Sequence, residues 1–134
     1  MGLDLATAER IVKASIAKAE QMGVKLSIAV VDEAGNLVHL ARMDGAFFVS
    51  PQIAMGKAFT AAAWQTSSAE IEKRAQSHPA FYGGVSTATG GRAIVRQGGL
   101  PITIDGRFAG AVGASGATSQ EDEDAVRAGI EALG

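Results

Sequence analysis

The chain has 134 residues, no cysteine, and 12 basic against 14 acidic side chains, for a formal net charge of −2. The missing thiol excludes disulfides, zinc–thiolate and iron–sulfur ligation and a cysteine nucleophile, and the balanced charge argues against a nucleic-acid footprint. The length suits a single domain over residues 1–134, and no apolar run reaches the roughly 18 residues of a membrane span.

The opening stretch carries Asp4, Glu9, Arg10, Lys13, Lys18 and Glu20, which do not suit the apolar centre of a signal peptide. The expectation is a cytoplasmic protein with no membrane and no nucleic-acid partner. Leu5, Ala8, Ile11, Val12, Ser15, Ile16 and Ala19 recur at helical spacing. Asp4 is a capping type at their start and Gly23 a stop at their end, which predicts an amphipathic helix over 5–22. The β-rich runs Leu26–Asp32 and Leu37–Arg42 flank Glu33-Ala34-Gly35-Asn36 and read as a hairpin. Strict alternation puts Leu37, His39 and Ala41 on one face, and Val38, Leu40 and Arg42 on the other.

Ser50-Pro51 opens a second helix, with serine as cap and proline at the first helical position. Its apolar stripe, Ile53, Ala54, Lys57, Ala58, Ala61 and Ala62, includes a lysine. A lysine buried there needs a carboxylate, and Asp44 or Asp32 is the expected source. Ser67-x-x-Glu70 matches a capping box for a short helix to Arg74 or Ala75. Residues 76–91 hold His78-Pro79, Phe81, Tyr82 and several glycines without periodicity. They read as a lid or interface loop of about 15 residues. Arg92–Val95 suggests a short strand. Ile102–Ile104 and Arg107–Ala114 flank the hairpin signal Asp105-Gly106, and Thr118-x-x-Glu121 caps a last helix through Leu133. The order α-β-β-α-α-(β)-β-β-α predicts an α+β fold, with about five antiparallel strands and helices packed on the sheet.

Several motifs recur together: VVD-x-x-G from Val30, R-M-D-G-A at Arg42–Ala46, the S-(x)6-K-A-x-T helix from Ser50, GG-x-P-I-x-x-DG from Gly98, and G-A-x-G-x-S-G before an acidic helix. Over nearly its full length the chain resembles the GlcG/HbpS family, which includes the C-terminal domain of PduO-type proteins. The resemblance implies a homo-oligomer, tetrameric or octameric, that binds haem in some members, with roles in haem degradation or iron handling. In the family the axial ligand is a threonine in one member and a histidine in another, so neither transfers to this chain. Without a C-x-x-C-H motif, any haem b here is held non-covalently.

Histidine is the natural iron ligand, which leaves His39 and His78. His39 lies among apolar strand residues, and His78 lies near Phe81 and Tyr82; each also has a plain reading, as a structural or a surface histidine. Arg42 and Lys57, with Asp44 nearby, form either an ion-paired brace or a clamp for a propionate or substrate carboxylate. Gly98 and Gly99 permit close packing or the approach of a flat ligand. Glu121, Asp122, Glu123 and Asp124 suit the positive end of a helix dipole, or a surface cation. Ser50, Ser115 and Ser119 lack a nucleophile-elbow context. Beside a purely structural or scaffolding oligomer, in which the acidic helix and the loop are interface elements, two ligand-binding readings follow. The first is a small haem-binding protein, its pocket drawing on Phe47, Phe48, Phe81, Tyr82, Arg42, Lys57 and Arg96. The second is an enzyme or binding protein for a small organic acid, with His39 as acid/base and Arg42 as anchor.

Overall fold

Asp4 accepts a 2.8 Å hydrogen bond from the Thr7 N–H and starts helix α1 (Leu5–Met22), which Gly23 ends in the left-handed conformation. These details come from a computed structural model that describes residues 2–134. The apolar stripe of α1 buries Ala8, Ile11, Val12 and Ala19. Strands β1 (Ser27–Asp32) and β2 (Leu37–Arg42) follow, then α2 (Ser50–Trp64), α3 (Ser68–Ser77) and α4 (Pro79–Ala88). The chain closes with β3 (Gly99–Ile104), β4 (Arg107–Ser115) and α5 (Ser119–Glu131).

The strands form one antiparallel sheet in the order β2-β1-β4-β3. Asp105 and Gly106 both take positive φ, the geometry a two-residue turn needs to match strand twist. Helices α1 and α5 cover one face, burying Ile28, Val30, Leu100, Ile102 and Val112 against Ile11, Val12 and Val126. Helix α2 covers the other, where Val31 and Ala111 meet Ala58, Ala61 and Ala62. On that side the helix backbone rests on the sheet: a Cβ added to Gly113 would lie 2.5 Å from the Ala54 carbonyl oxygen and 2.6 Å from the Ala58 nitrogen. Glycine and alanine face each other at this contact because it has no room for larger side chains.

The structure corrects four expectations. The sheet has four strands rather than about five, because Arg92–Val95 binds along α2 instead of joining the ladder. There the Ile94 N–H donates to the Gly56 carbonyl at 3.3 Å, and the Thr60 hydroxyl donates to the Ile94 carbonyl at 3.0 Å. Residues 76–91 are largely helical, comprising the end of α3 and all of α4, which Pro79 opens at its first position. Alternation breaks in β2, where Val30 pairs with His39 but Val31 with Leu37, so Val38 is an extra, bulged residue. Leu37 therefore joins the α2 side, while His39 and Ala41 face α1. Ser50 lies inside α2 rather than capping it, its hydroxyl donating to the Phe47 carbonyl at 2.6 Å.

The Thr118 capping box holds, Thr118 and Glu121 satisfying each other's backbone N–H groups, whereas at Ser67 only half of it forms: the hydroxyl accepts from the Glu70 N–H, and the Glu70 carboxylate turns to Arg74 at 3.0 Å. Both edge strands are irregular, β2 through its bulge and β3 through Pro101, which has no N–H to offer a neighbour. Among the described residues no helix is long and apolar enough to cross a membrane.

Candidate functional site

Lys57 is the most constrained ionisable side chain of the fold. It leaves the sheet-facing side of α2 only 3 % exposed, and its Nζ donates at 2.9 Å to the Ala114 carbonyl and at 2.9 Å to Asp122 Oδ2. Asp122, in the first turn of α5, is equally sealed, and its Oδ1 accepts from the Ala117 N–H at 3.1 Å. The partner is therefore neither Asp44, which is exposed, nor Asp32, which accepts the N–H groups of Ala34 and Asn36 in its own turn. Burial pushes the Asp122 carboxyl above its ordinary range, against the opposing pull of Lys57 and the Ala117 N–H. Gly98 and Gly99 close over the lysine, since a Cβ on Gly98 would sit 2.8 Å from Nζ. These glycines make room for Lys57.

His39 and Arg42 lie on opposite faces of β2. Arg42 donates to the Ala46 carbonyl at 3.1 Å on the α2 side, above the exposed turn of Asp44 and Gly45. His39 is half-buried at the wall of an open groove of about 460 Å³ between β2 and α1. Val12, Ile16, Ala17 and Ala41 give this groove a mainly apolar lining, Lys13 adds a cation, and Glu9 and Glu20 complete it. The imidazole makes no hydrogen bond among the described residues. An acid/base role for His39 with Arg42 as anchor on one substrate is not what this arrangement offers.

His78 is exposed where α3 meets α4. Tyr82 is buried, with ring centroids 5.5 Å from Trp64 and 5.0 Å from Phe81, and so belongs to the packing. Phe81 is 60 % exposed, and Phe47 and Phe48 are exposed in the turn before α2. The acidic turn is used internally: Glu121 in the cap, Asp122 on Lys57, Glu123 on Arg127 at 3.0 Å, and Asp124 on Gln120 at 2.9 Å. Among the described residues no group of three or more His, Asp or Glu is placed to hold a metal ion.

One feature escaped the sequence reading. A cleft of about 320 Å³ at the β1–β2 turn is lined by Leu37, Met55, Phe59, Gly35 and Arg92. The Arg92 guanidinium lies 4.4 Å from the Phe59 ring centroid and donates to the Gly35 carbonyl at 3.3 Å. Phe59 and Arg92 sit in separate segments, so no local motif announces their contact.

A family described as haem degrading protein, HbpS-like, matches residues 3–131. The chain belongs to the HbpS-like family. This HbpS-like chain is 36 % identical over 120 residues to an uncharacterized 15.0 kDa protein from the dhaT-dhaS intergenic region of Citrobacter freundii, covering 90 % of this chain and 84 % of that one. It is 32 % identical over 108 residues to protein GlcG of Escherichia coli K12, covering 81 % of this chain and 77 % of GlcG. Its fold matches Klebsiella pneumoniae protein ORFY with a TM-score of 0.90 at 31 % identity, covering 99 % of this chain and 91 % of ORFY. It matches PduOC, solved as a complex with haem, with a TM-score of 0.88 at 29 % identity, covering 98 % and 95 % of the two chains. The HbpS-like α+β architecture is thus common to relatives of different names.

Proposed function

We propose that this protein binds haem b non-covalently in the groove between α1 and β2, with His39 as the iron ligand. It acts as one domain within a cytoplasmic homo-oligomer, a tetramer or octamer, that serves haem or iron handling. The observation that carries the reading is the His39 imidazole, half-buried at an apolar groove and without a hydrogen-bond partner among the described residues. Its ring nitrogens reach solvent in the groove and are spent on no protein group among the described residues, which leaves them open to a ligand. A free imidazole beside Val12, Ile16 and Ala41 suits a flat apolar ligand with a metal at its centre.

The residues fit the group. The apolar lining accepts the porphyrin face, His39 is available to the iron, and Lys13 offers a cation to a propionate, while Glu9 and Glu20 favour placing both propionates toward Lys13. Bound haem supplies a redox-active iron. The groove is open on one side, and the exposed Phe47, Phe48 and Phe81 supply apolar surface for contact between copies. The haem-bound relative PduOC and the description of the family support this reading.

Titration of the purified protein with hemin tests it. A saturable Soret shift is expected, lost or moved in His39→Ala and retained in His78→Ala. No shift in the native protein overturns haem binding, and an unchanged spectrum in His39→Ala overturns the ligand assignment.

A further inference from the structure

Where β4 hands over to α5, a third cavity, of about 580 Å³, opens on the α2 side of the sheet, away from the His39 groove. Ser115, Ser119, Lys57 and Arg96 line it, with Ile53 and Ile94 as apolar wall. Ser115 is only 8 % exposed, and alternation along β4 turns its side chain toward α2 and this cavity. Its hydroxyl has no hydrogen-bond partner among the described residues, and it is not an atom cut off from solvent. The serine is therefore buried up to the cavity wall and unspent.

The other polar groups there are also donors in excess. Lys57 has three N–H bonds and uses two, on the Ala114 carbonyl and Asp122. The Ser119 N–H, first in α5, has no partner among the described residues, while the neighbouring cap groups of Thr118 and Glu121 satisfy each other. Arg96 spends one side-chain N–H on Glu72 at 2.8 Å. The carboxylate that also lines the cavity, Asp122, already accepts on both oxygens. A site with unspent donors and occupied acceptors is complementary to an acceptor. The formal charges of Lys57, Arg96, Asp122 and Glu72 cancel, and the partial positive charge of the α5 N-terminus is partly offset by Glu121 in the cap. That balance suits a single negative charge and disfavours a dianion.

We propose that this cavity binds the carboxylate of a small monocarboxylic acid, with Ser115, the Ser119 N–H and Lys57 on the carboxylate and Ile53 and Ile94 against its short carbon chain. The site is independent of haem, since it shares no lining residue with the His39 groove.

The test is amide NMR of the full chain titrated with propionate, and separately with inorganic phosphate. Propionate is expected to give saturable shifts at the Ser115–Ser119 amides at millimolar concentration. Ser115→Ala should weaken binding by roughly tenfold or more, the size of one lost hydrogen bond to a charged group. Ser119→Pro deletes the N–H at a position where proline is tolerated, and should weaken binding while leaving the thermal midpoint unchanged. Absence of saturable shifts overturns the proposal. So does undiminished binding in both variants, or phosphate binding as tightly as propionate through the same amides.

Discussion

Lys57, midway along α2, and Asp122, in the first turn of α5, meet at 2.9 Å with both side chains sealed from solvent. The pair ties the helix on one face of the sheet to the helix on the other, through the end of β4. A buried ion pair adds little over a well-packed apolar pair, yet removing one member strands the other charge.

Lys57→Met should therefore cost about 3–5 kcal/mol in urea unfolding, and Asp122→Ala a similar amount. The double variant Lys57→Met/Asp122→Leu should be more stable than the sum of the two losses implies. Strict additivity of the two losses would show that the pair is not energetically coupled.

Asp122 and Asp4 should titrate on opposite sides of their ordinary value of 3.8. Burial raises Asp122, and hydrogen bonds from Thr7 lower Asp4. Between 3.8 and its raised value the folded Asp122 holds more protons than the unfolded one, so its contribution to stability falls as pH rises through that window. The contribution of Asp4 is full above 3.8 and is lost as pH falls through its lowered value. Carboxyl-carbon NMR of each side chain checks the order, and an Asp122 midpoint below that of Asp4 would contradict it.

Two glycines should respond to alanine with opposite signs. Gly113→Ala drives a methyl group into the α2 backbone and should destabilise by about 1–3 kcal/mol. Gly83 lies within α4 with nothing within 4 Å of its added Cβ, so Gly83→Ala should stabilise by about 0.5–1 kcal/mol. Thermal or urea melts of the two variants make the comparison.

Thr118→Ala removes the hydroxyl that accepts the Glu121 N–H at 3.2 Å. It should lower stability by about 1 kcal/mol, and Thr118→Ser should recover most of the loss in the same assay.

Local signals marked much of this fold before any coordinates. Asp4 and Gly23 bracket α1, Asp105-Gly106 turns a hairpin, and the Thr118 capping box opens α5. What stayed hidden depends on distant partners. Helix α4 buries only Tyr82, so it has no apolar stripe to display a period. Arg92–Val95 has strand-like residues, but its hydrogen bonds go to α2. Asp122 read as a dipole-stabilising carboxylate because Lys57 lies 65 positions away. His39 was legible as a half-buried histidine, whereas its separation from Arg42 depends on how the strand is covered on each side.

Val38 and Pro101 break the regular backbone at opposite margins of the sheet. A bulge twists its margin away from a flat template, and a proline withholds a donor from any strand laid alongside. A strand approaching from either side therefore meets a twisted margin or a missing donor, which disfavours growth by edge-to-edge strand pairing into a continuous ribbon.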